Sequence, residues 1–241
     1  MTEWILRERD EDITTITINR PDIGNRITDP MATELAEMID TAANDSRLIL
    51  FKTKGEEFCL GRERMGHPGP RPEAYELRAR IEVILNAYDA FRRSKVPVIG
   101  VVQGGAIGFG CALAALCDIT IASDRARFQL PEMAHNIMPT LAMSALVDRV
   151  PRKALLYLVY STAEIDAHTA LIFGLVSQVV PAGKLSTTVN DLIATLKKSP
   201  LPAVMAVKEY ANSALTMDIR AANDFARNLH ATVNSSSAMR H

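Results

Sequence analysis

Two short glycine-bearing turns carry the first chemistry this chain could do: Phe58-Cys59-Leu60-Gly61-Arg62, and Gly104-Gly105-Ala106-Ile107-Gly108-Phe109-Gly110. Each follows an apolar run that reads as a strand. Glycine admits backbone conformations that aim N–H groups outward, so such turns can offer donors to an anionic oxygen. Two N–H groups converging from separate turns would form an oxyanion hole, and a helix starting after Gly108 would add the positive end of its dipole. The same glycines could equally serve only close strand-to-helix packing. Both readings stay open on the glycines alone.

Glu132, in Leu130-Pro131-Glu132-Met133, places a carboxylate among apolar neighbours just after a strand. Desolvation raises the pKa of such a group and lets it take and return a carbon-bound proton. The competing reading is a solvated glutamate that complements a helix dipole. His135, about one helical turn further on, is either a second acid or base, as its intrinsic pKa allows, or a packing or surface group. His67 is a weaker candidate of the same kind.

Other catalytic patterns are missing. There is no GxSxG, HExxH or GxxxxGK[ST], and the Gly104–Gly110 glycines do not fall into GxGxxG spacing. Cys59, Cys111 and Cys117 lack CxxC spacing and companion histidines, so no metal site is expected; odd in number, they suit a reducing compartment. An acidic, mixed N-terminus argues against export and points to the cytoplasm. Among 241 residues, Lys and Arg total 27 against 28 Asp and Glu, a formal charge of -1, and aromatics are 5%. Neutral and poor in rings, the chain is not expected to bind nucleic acid.

The elements that must hold these residues alternate strand and helix. Residues 12–19 alternate apolar and polar and are expected to open the fold as a strand; Thr28 and Pro30 start a helix reaching about residue 43; residues 48–53 form a second strand. A Gly- and Arg-rich loop runs from 55 to about 72, and a helix from about 72 to 94. Val96 to Cys117 carries no charge and has the length of a membrane span, but Pro97, Gln103 and its glycines break any uniform helix. We expect a buried strand over 96–102, the glycine turn, and a helix over 108–116. Strands at 118–122 and 127–130, helices at 140–149, 151–160 and 163–173, a capping Gly174 with a short strand, and helices from about 184 complete the reading. The tail opening with Asn234-Ser235-Ser236-Ser237 has no apolar period and is expected to fray.

Taken in order, Thr17-Ile18-Asn19-Arg20-Pro21 with Asn25, Phe58 to Glu63, Lys95 to Ile99, Gly104 to Cys111, Cys117-Asp118-Ile119, Ala126 to Glu132 and Gly174-Leu175-Val176 resemble the crotonase (enoyl-CoA hydratase/isomerase) superfamily. The resemblance implies an α/β fold: a ββα spiral core over 1–183 and a C-terminal helical trimerisation region over 184–241. It implies a homotrimer, or a hexamer as a dimer of trimers, acting on an acyl-CoA. Coenzyme A is then part of the substrate, and no cofactor is bound permanently. The thioester oxygen would rest between the N–H groups of Arg62 and Phe109, with Glu132 as base. Leu60, Gly61, Gly108, Gly110 and Thr140 would contact substrate, Phe109 and Thr140 narrowing the pocket, while Arg26, Arg62 and Arg64 lie nearest the CoA phosphates. Arg71, Arg78 and Arg80, interleaved with Glu73 and Glu76, read instead as a solvated helix face.

One departure bears on the reaction. Hydratases of this family pair two glutamates, and the first falls on Ala112 here. A methyl group cannot activate water, whereas one carboxylate suffices to shuttle a proton between α- and γ-carbons. Double-bond isomerisation is therefore the expected activity; the alternatives are hydration or dehydration with one carboxylate, and a CoA-binding scaffold without catalysis.

Overall fold

β-Branched residues at Ile13–Ile18 alternate burial and form β2, an early strand of a six-stranded sheet. In the computed structural model, which describes residues 3–63 and 72–240, it is preceded by β1 (Ile5–Asp10), antiparallel to it with Ile5 opposite Ile18. The fold thus opens one strand earlier than the sequence indicates. β1 is an edge strand, largely exposed beyond Ile5, and charged residues such as Arg7, Glu8 and Arg9 suit an edge that must not pair further. Its apolar period is correspondingly weak.

From β2 the sheet continues in parallel through β3 (Leu48–Thr53), β4 (Val98–Val102), β6 (Ile119–Ser123) and β9 (Gln178–Val180). Central parallel strands are covered on both faces, so they read as apolar runs; Ile49, Phe51, Val98 and Ile99 are fully buried. α1 (Asp29–Asp45) joins β2 to β3, its first turn capped by Thr28, whose hydroxyl accepts from the Met31 N–H. α2 (Ala74–Arg93) lies between β3 and β4 and packs on α1.

A second sheet of three strands stands beside the first: β5 (Gly105–Ile107), β7 (Arg127–Gln129) and β8 (Ile165–Asp166). Two expectations change here. Gly105–Ile107 pairs with β7 as a strand and is not merely a turn. Ile165–Asp166 pairs antiparallel with the same strand, so the helix expected over 163–173 shrinks to α6 (Ala167–Ile172), capped by Asp166. Pairing partners distant in sequence decide both, and a local period cannot reveal them. The uncharged stretch resolves into β4, β5 and a fully buried α3 (Phe109–Leu116). Among the described residues no helix is long and apolar enough to cross a membrane. α4 (Thr140–Leu146) and α5 (Arg152–Ser161) follow.

The C-terminal helices α7 (Leu185–Lys198), α8 (Leu201–Ala214) and α9 (Ile219–Ser235) attach through polar anchors. Lys208 of α8, buried, donates to the carbonyls of Phe91 (2.9 Å) and Val96 (3.1 Å) and to Asp118 Oδ2 (2.7 Å). The same Asp118 oxygen accepts from the Val98 N–H at 2.7 Å, so one ammonium ties α8 to the ends of α2, β4 and α3. Arg47 adds a second tie, pairing with Asp12 at 2.7 Å while donating to the Ser199 carbonyl at 2.6 Å. The tail does not fray as expected. Ser236 caps a short turn over Ser237–Met239, Arg240 reaches back to the Ser235 carbonyl, and Met239 is half-buried beside Ala203 and Val207 of α8.

Lys208→Met leaves Asp118 and two carbonyls short of a donor in a buried place. The expected cost is about 3–5 kcal/mol in urea unfolding, the range for breaking a buried pair from one side. A loss below about 1 kcal/mol, as an exposed pair would give, rules out this anchor.

Candidate active site

Short backbone bridges bring the two glycine turns together. Cys59 donates to the Gly105 carbonyl and accepts from the Ile107 N–H, both at 2.9 Å, which lays the first turn along β5. Glu57 reinforces the join: its Oε2 accepts from the Gly105 N–H at 2.5 Å, and Arg127 pairs with the same carboxylate at 3.0 Å. Asn25, buried at φ 55°, accepts from the Arg20 N–H and donates to the carbonyls of Lys54 (2.7 Å) and Glu57 (2.8 Å). Beyond Cys59, the Ile27 N–H donates to the Gly61 carbonyl and the Glu63 N–H to the Ile27 carbonyl. In such a parallel bridge the flanking groups make the bonds, so the N–H of Arg62 itself points to the opposite side.

Gly108 makes the second turn. Its φ of 53° with ψ of −112° is open to glycine and strained for other residues, and its N–H donates to the Gln129 carbonyl at 2.8 Å. Phe109 then opens α3, where a first-turn N–H has no intrahelical acceptor. Gly110 allows the approach: a Cβ there would stand 2.0 Å from the Cys59 carbonyl oxygen.

A cavity of about 520 Å³ opens over these turns. Arg26, Leu60, Gly61, Arg62, Gly108, Phe109, Glu132 and His135 all line it, His135 as an exposed side chain. Glu132, half-buried on the 3-10 turn Glu132–His135, brings its Oε1 to 3.2 Å from where a Gly108 Cβ would stand. Carboxylate and oxyanion turn are therefore in near contact. Two candidates stand elsewhere. Gly110 is buried against Cys59 and absent from the lining, a packing position, and Thr140 is exposed on the first turn of α4, so it does not narrow the cavity. Arg62 turns its guanidinium to Asp29 at 3.0 Å. Arg64, His67 and Arg71 lie outside the described residues.

Sequence reasoning missed Tyr88. It follows Ile84 by one helical turn on α2, both side chains reach the cavity wall, and its ring stacks on Phe109 with centroids 5.4 Å apart. The apolar face of α2 was the available signal, but which helix would face the oxyanion turn was not. Burial, with the Glu132 charge adding, pushes the phenol well above its ordinary pKa, so it stays a neutral donor. Burial likewise raises Cys59 to about 12 and Cys111 higher still, which leaves both thiols protonated. Among the described residues no cluster of His, Cys, Asp and Glu could hold a metal ion.

Residues of two glycine turns, the start of one helix and one carboxylate line a shared cavity, an arrangement able to receive an anionic oxygen beside a group that can carry a proton. The whole chain compares accordingly. The enoyl-CoA hydratase/isomerase family matches residues 8–241. The short-chain-enoyl-CoA hydratase of Clostridium acetobutylicum is 31% identical over 231 residues, 92% of this chain and 85% of that protein. The mitochondrial enoyl-CoA hydratase domain-containing protein 3 of Xenopus laevis is 32% identical over 193 residues; the match spans 79% of this chain and 65% of the frog protein's length. The crystal structure of an enoyl-CoA hydratase from Mycobacterium smegmatis superposes with a TM-score of 0.91 at 26% identity, covering 98% of this chain and 93% of that one. The fold is the crotonase fold, as expected. This chain belongs to the enoyl-CoA hydratase/isomerase family.

Gly108→Ala forces a side chain into a positive-φ turn and against Glu132. The expected result is a fall in kcat/KM of at least about 100-fold, the scale of losing one oxyanion donor, with circular dichroism unchanged. Full activity in the variant contradicts this placement of the Phe109 N–H.

Proposed function

We propose that the chain is an acyl-CoA enzyme that isomerises an enoyl-CoA double bond through a thioester enolate. One observation carries this reading: Arg62, Phe109 and Glu132 line one cavity, where the first two would offer backbone N–H donors and the third a base, while Ala112, fully buried in α3, brings no second carboxylate to it. The Glu132 carboxylate removes a proton from the α-carbon of a 3-enoyl thioester. The C–H electron pair moves into the carbonyl, and the oxygen takes the negative charge between the two N–H groups. Protonated Glu132 then returns the proton to the γ-carbon, the double bond closes between the α- and β-carbons, and the carboxylate is regenerated. No atom is gained or lost.

The arginines nearest the mouth suit the CoA phosphates. Arg26 is exposed at the cavity edge, and Arg62 is shared with Asp29. On α8 and α9, Val207 and Ile219 are more than 70% exposed, and we assign these helices to self-association as a trimer or a pair of trimers.

Purified protein mixed with a 3-enoyl-CoA and, separately, a 2-enoyl-CoA, followed at the conjugated-thioester absorbance, separates isomerisation from hydration. The expected result is growth of absorbance from the 3-enoyl ester, with loss from the 2-enoyl ester much slower, and Glu132→Gln lowering turnover at least about 100-fold. Full activity in that variant removes Glu132 as the base; faster hydration than isomerisation establishes the hydratase alternative; CoA-ester binding without turnover of either ester leaves the scaffold.

A further inference from the structure

A tyrosine hydroxyl that is buried normally finds an acceptor in the protein, because leaving it dry costs the hydrogen bond it had in water. Tyr88 is 2% exposed, and its hydroxyl makes no hydrogen bond to another described residue. It is not sealed away: Tyr88 forms part of the cavity wall together with Arg62, Phe109 and Glu132. Its ring lies on Phe109 with an interplanar angle of 27°, which fixes the phenol over the first turn of α3, and its hydroxyl is within electrostatic reach of both Glu132 and Arg62. A rigid donor at the cavity wall, flanked by the residues of both oxyanion turns and lacking an acceptor of its own, is complementary to an oxygen brought by the occupant.

We infer that Tyr88 is a further catalytic residue, its hydroxyl acting as a third hydrogen-bond donor to the thioester oxygen beside the N–H groups of Arg62 and Phe109. The inference rests on the acyl-CoA reading above and adds to it a side-chain donor. The phenol keeps its proton throughout: it donates a hydrogen bond that shortens and strengthens as the oxygen takes up negative charge, and it transfers nothing to carbon. The residue type suits the task, since burial of this phenol favours the neutral donating form across the working range. It also suits the loss at position 112. A donor on α2 supports enolate formation without supplying a base for water, so it favours proton shuttling over hydration.

The test is Tyr88→Phe, which keeps the stack on Phe109 and removes only the hydroxyl. Turnover of the best thioester substrate is expected to fall about 10- to 100-fold, at the lower end of what one oxyanion donor contributes, with KM changed less than threefold. A second readout is independent of turnover: a conjugated dienoyl-CoA bound to the wild type should show a red-shifted absorbance, because donors polarise its carbonyl, and the variant should show a smaller shift. If Tyr88 serves packing alone, the variant matches wild type in both, and the inference is overturned. Tyr88→Leu, which also removes the ring, separates the two roles by adding a loss of melting temperature that Tyr88→Phe lacks. Should the wild type bind no CoA thioester at all, the acyl-CoA reading fails and this inference with it; binding and turnover unaffected by Tyr88→Phe fail this inference only.

Discussion

The active cavity depends on one close approach. α3 begins against the backbone of Cys59, where a Cβ on residue 110 would stand 2.0 Å from a carbonyl oxygen, so only a residue without a side chain lets the helix start there. From that contact follow the positions of both turns. β5 bridges to Cys59 on one side and pairs with β7 on the other, and β7 leads into the turn that carries Glu132. The proposed donors and the proposed base are thus referenced to a single small sheet. Preorganisation of this kind matters because donors that need not reorient as charge develops stabilise it most.

Side chains around the approach are committed to holding it. Glu57 engages the Gly105 N–H and Arg127, Asn25 and Gln103 bond the carbonyls of the preceding loop, and the Tyr88–Phe109 stack covers the start of α3 from above. Asn25 and Gln103 spend hydrogen bonds on backbone carbonyls, Glu57 divides its carboxylate between a backbone N–H and Arg127, and the aromatic pair contributes packing. At the far end of α3, Asp118 accepts from Val98 and Lys208, so the C-terminal helices and the site share one polar joint. The helix whose first turn lines the cavity is thereby pinned at its last.

Much of this was legible in the chain. The strand at 48–53 falls where the apolar run places it, α1 starts beside its threonine cap, and α3 begins at Phe109 as the glycine turn implies. Glu132 and the two turns also stood out, since their residue types and order carry a family pattern. What escaped was set by partners far off in sequence. β1 is a charged edge with almost no apolar period, β5 and β8 are short strands that exist only because β7 lies between them, and Glu57 and Tyr88 look like ordinary members of a loop and a helix face. Gly110 and Thr140 err in the other direction: motif proximity suggested substrate contact, but the helix turns one inward and the other to solvent.

By itself the sequence determined the alternating α/β order, the family, the absence of a second carboxylate at Ala112 and the presence of a carboxylate at Glu132 beside the second turn. Those are properties of residue type and local spacing. The tertiary structure alone decided which of these residues share the cavity, which arginine is already paired, and that Tyr88 stacks on Phe109 at the start of α3. They depend on the direction in which a backbone group or side chain points once distant segments pack. Such a direction is settled by contacts between residues such as 59 and 106, or 88 and 109, and no local pattern encodes it.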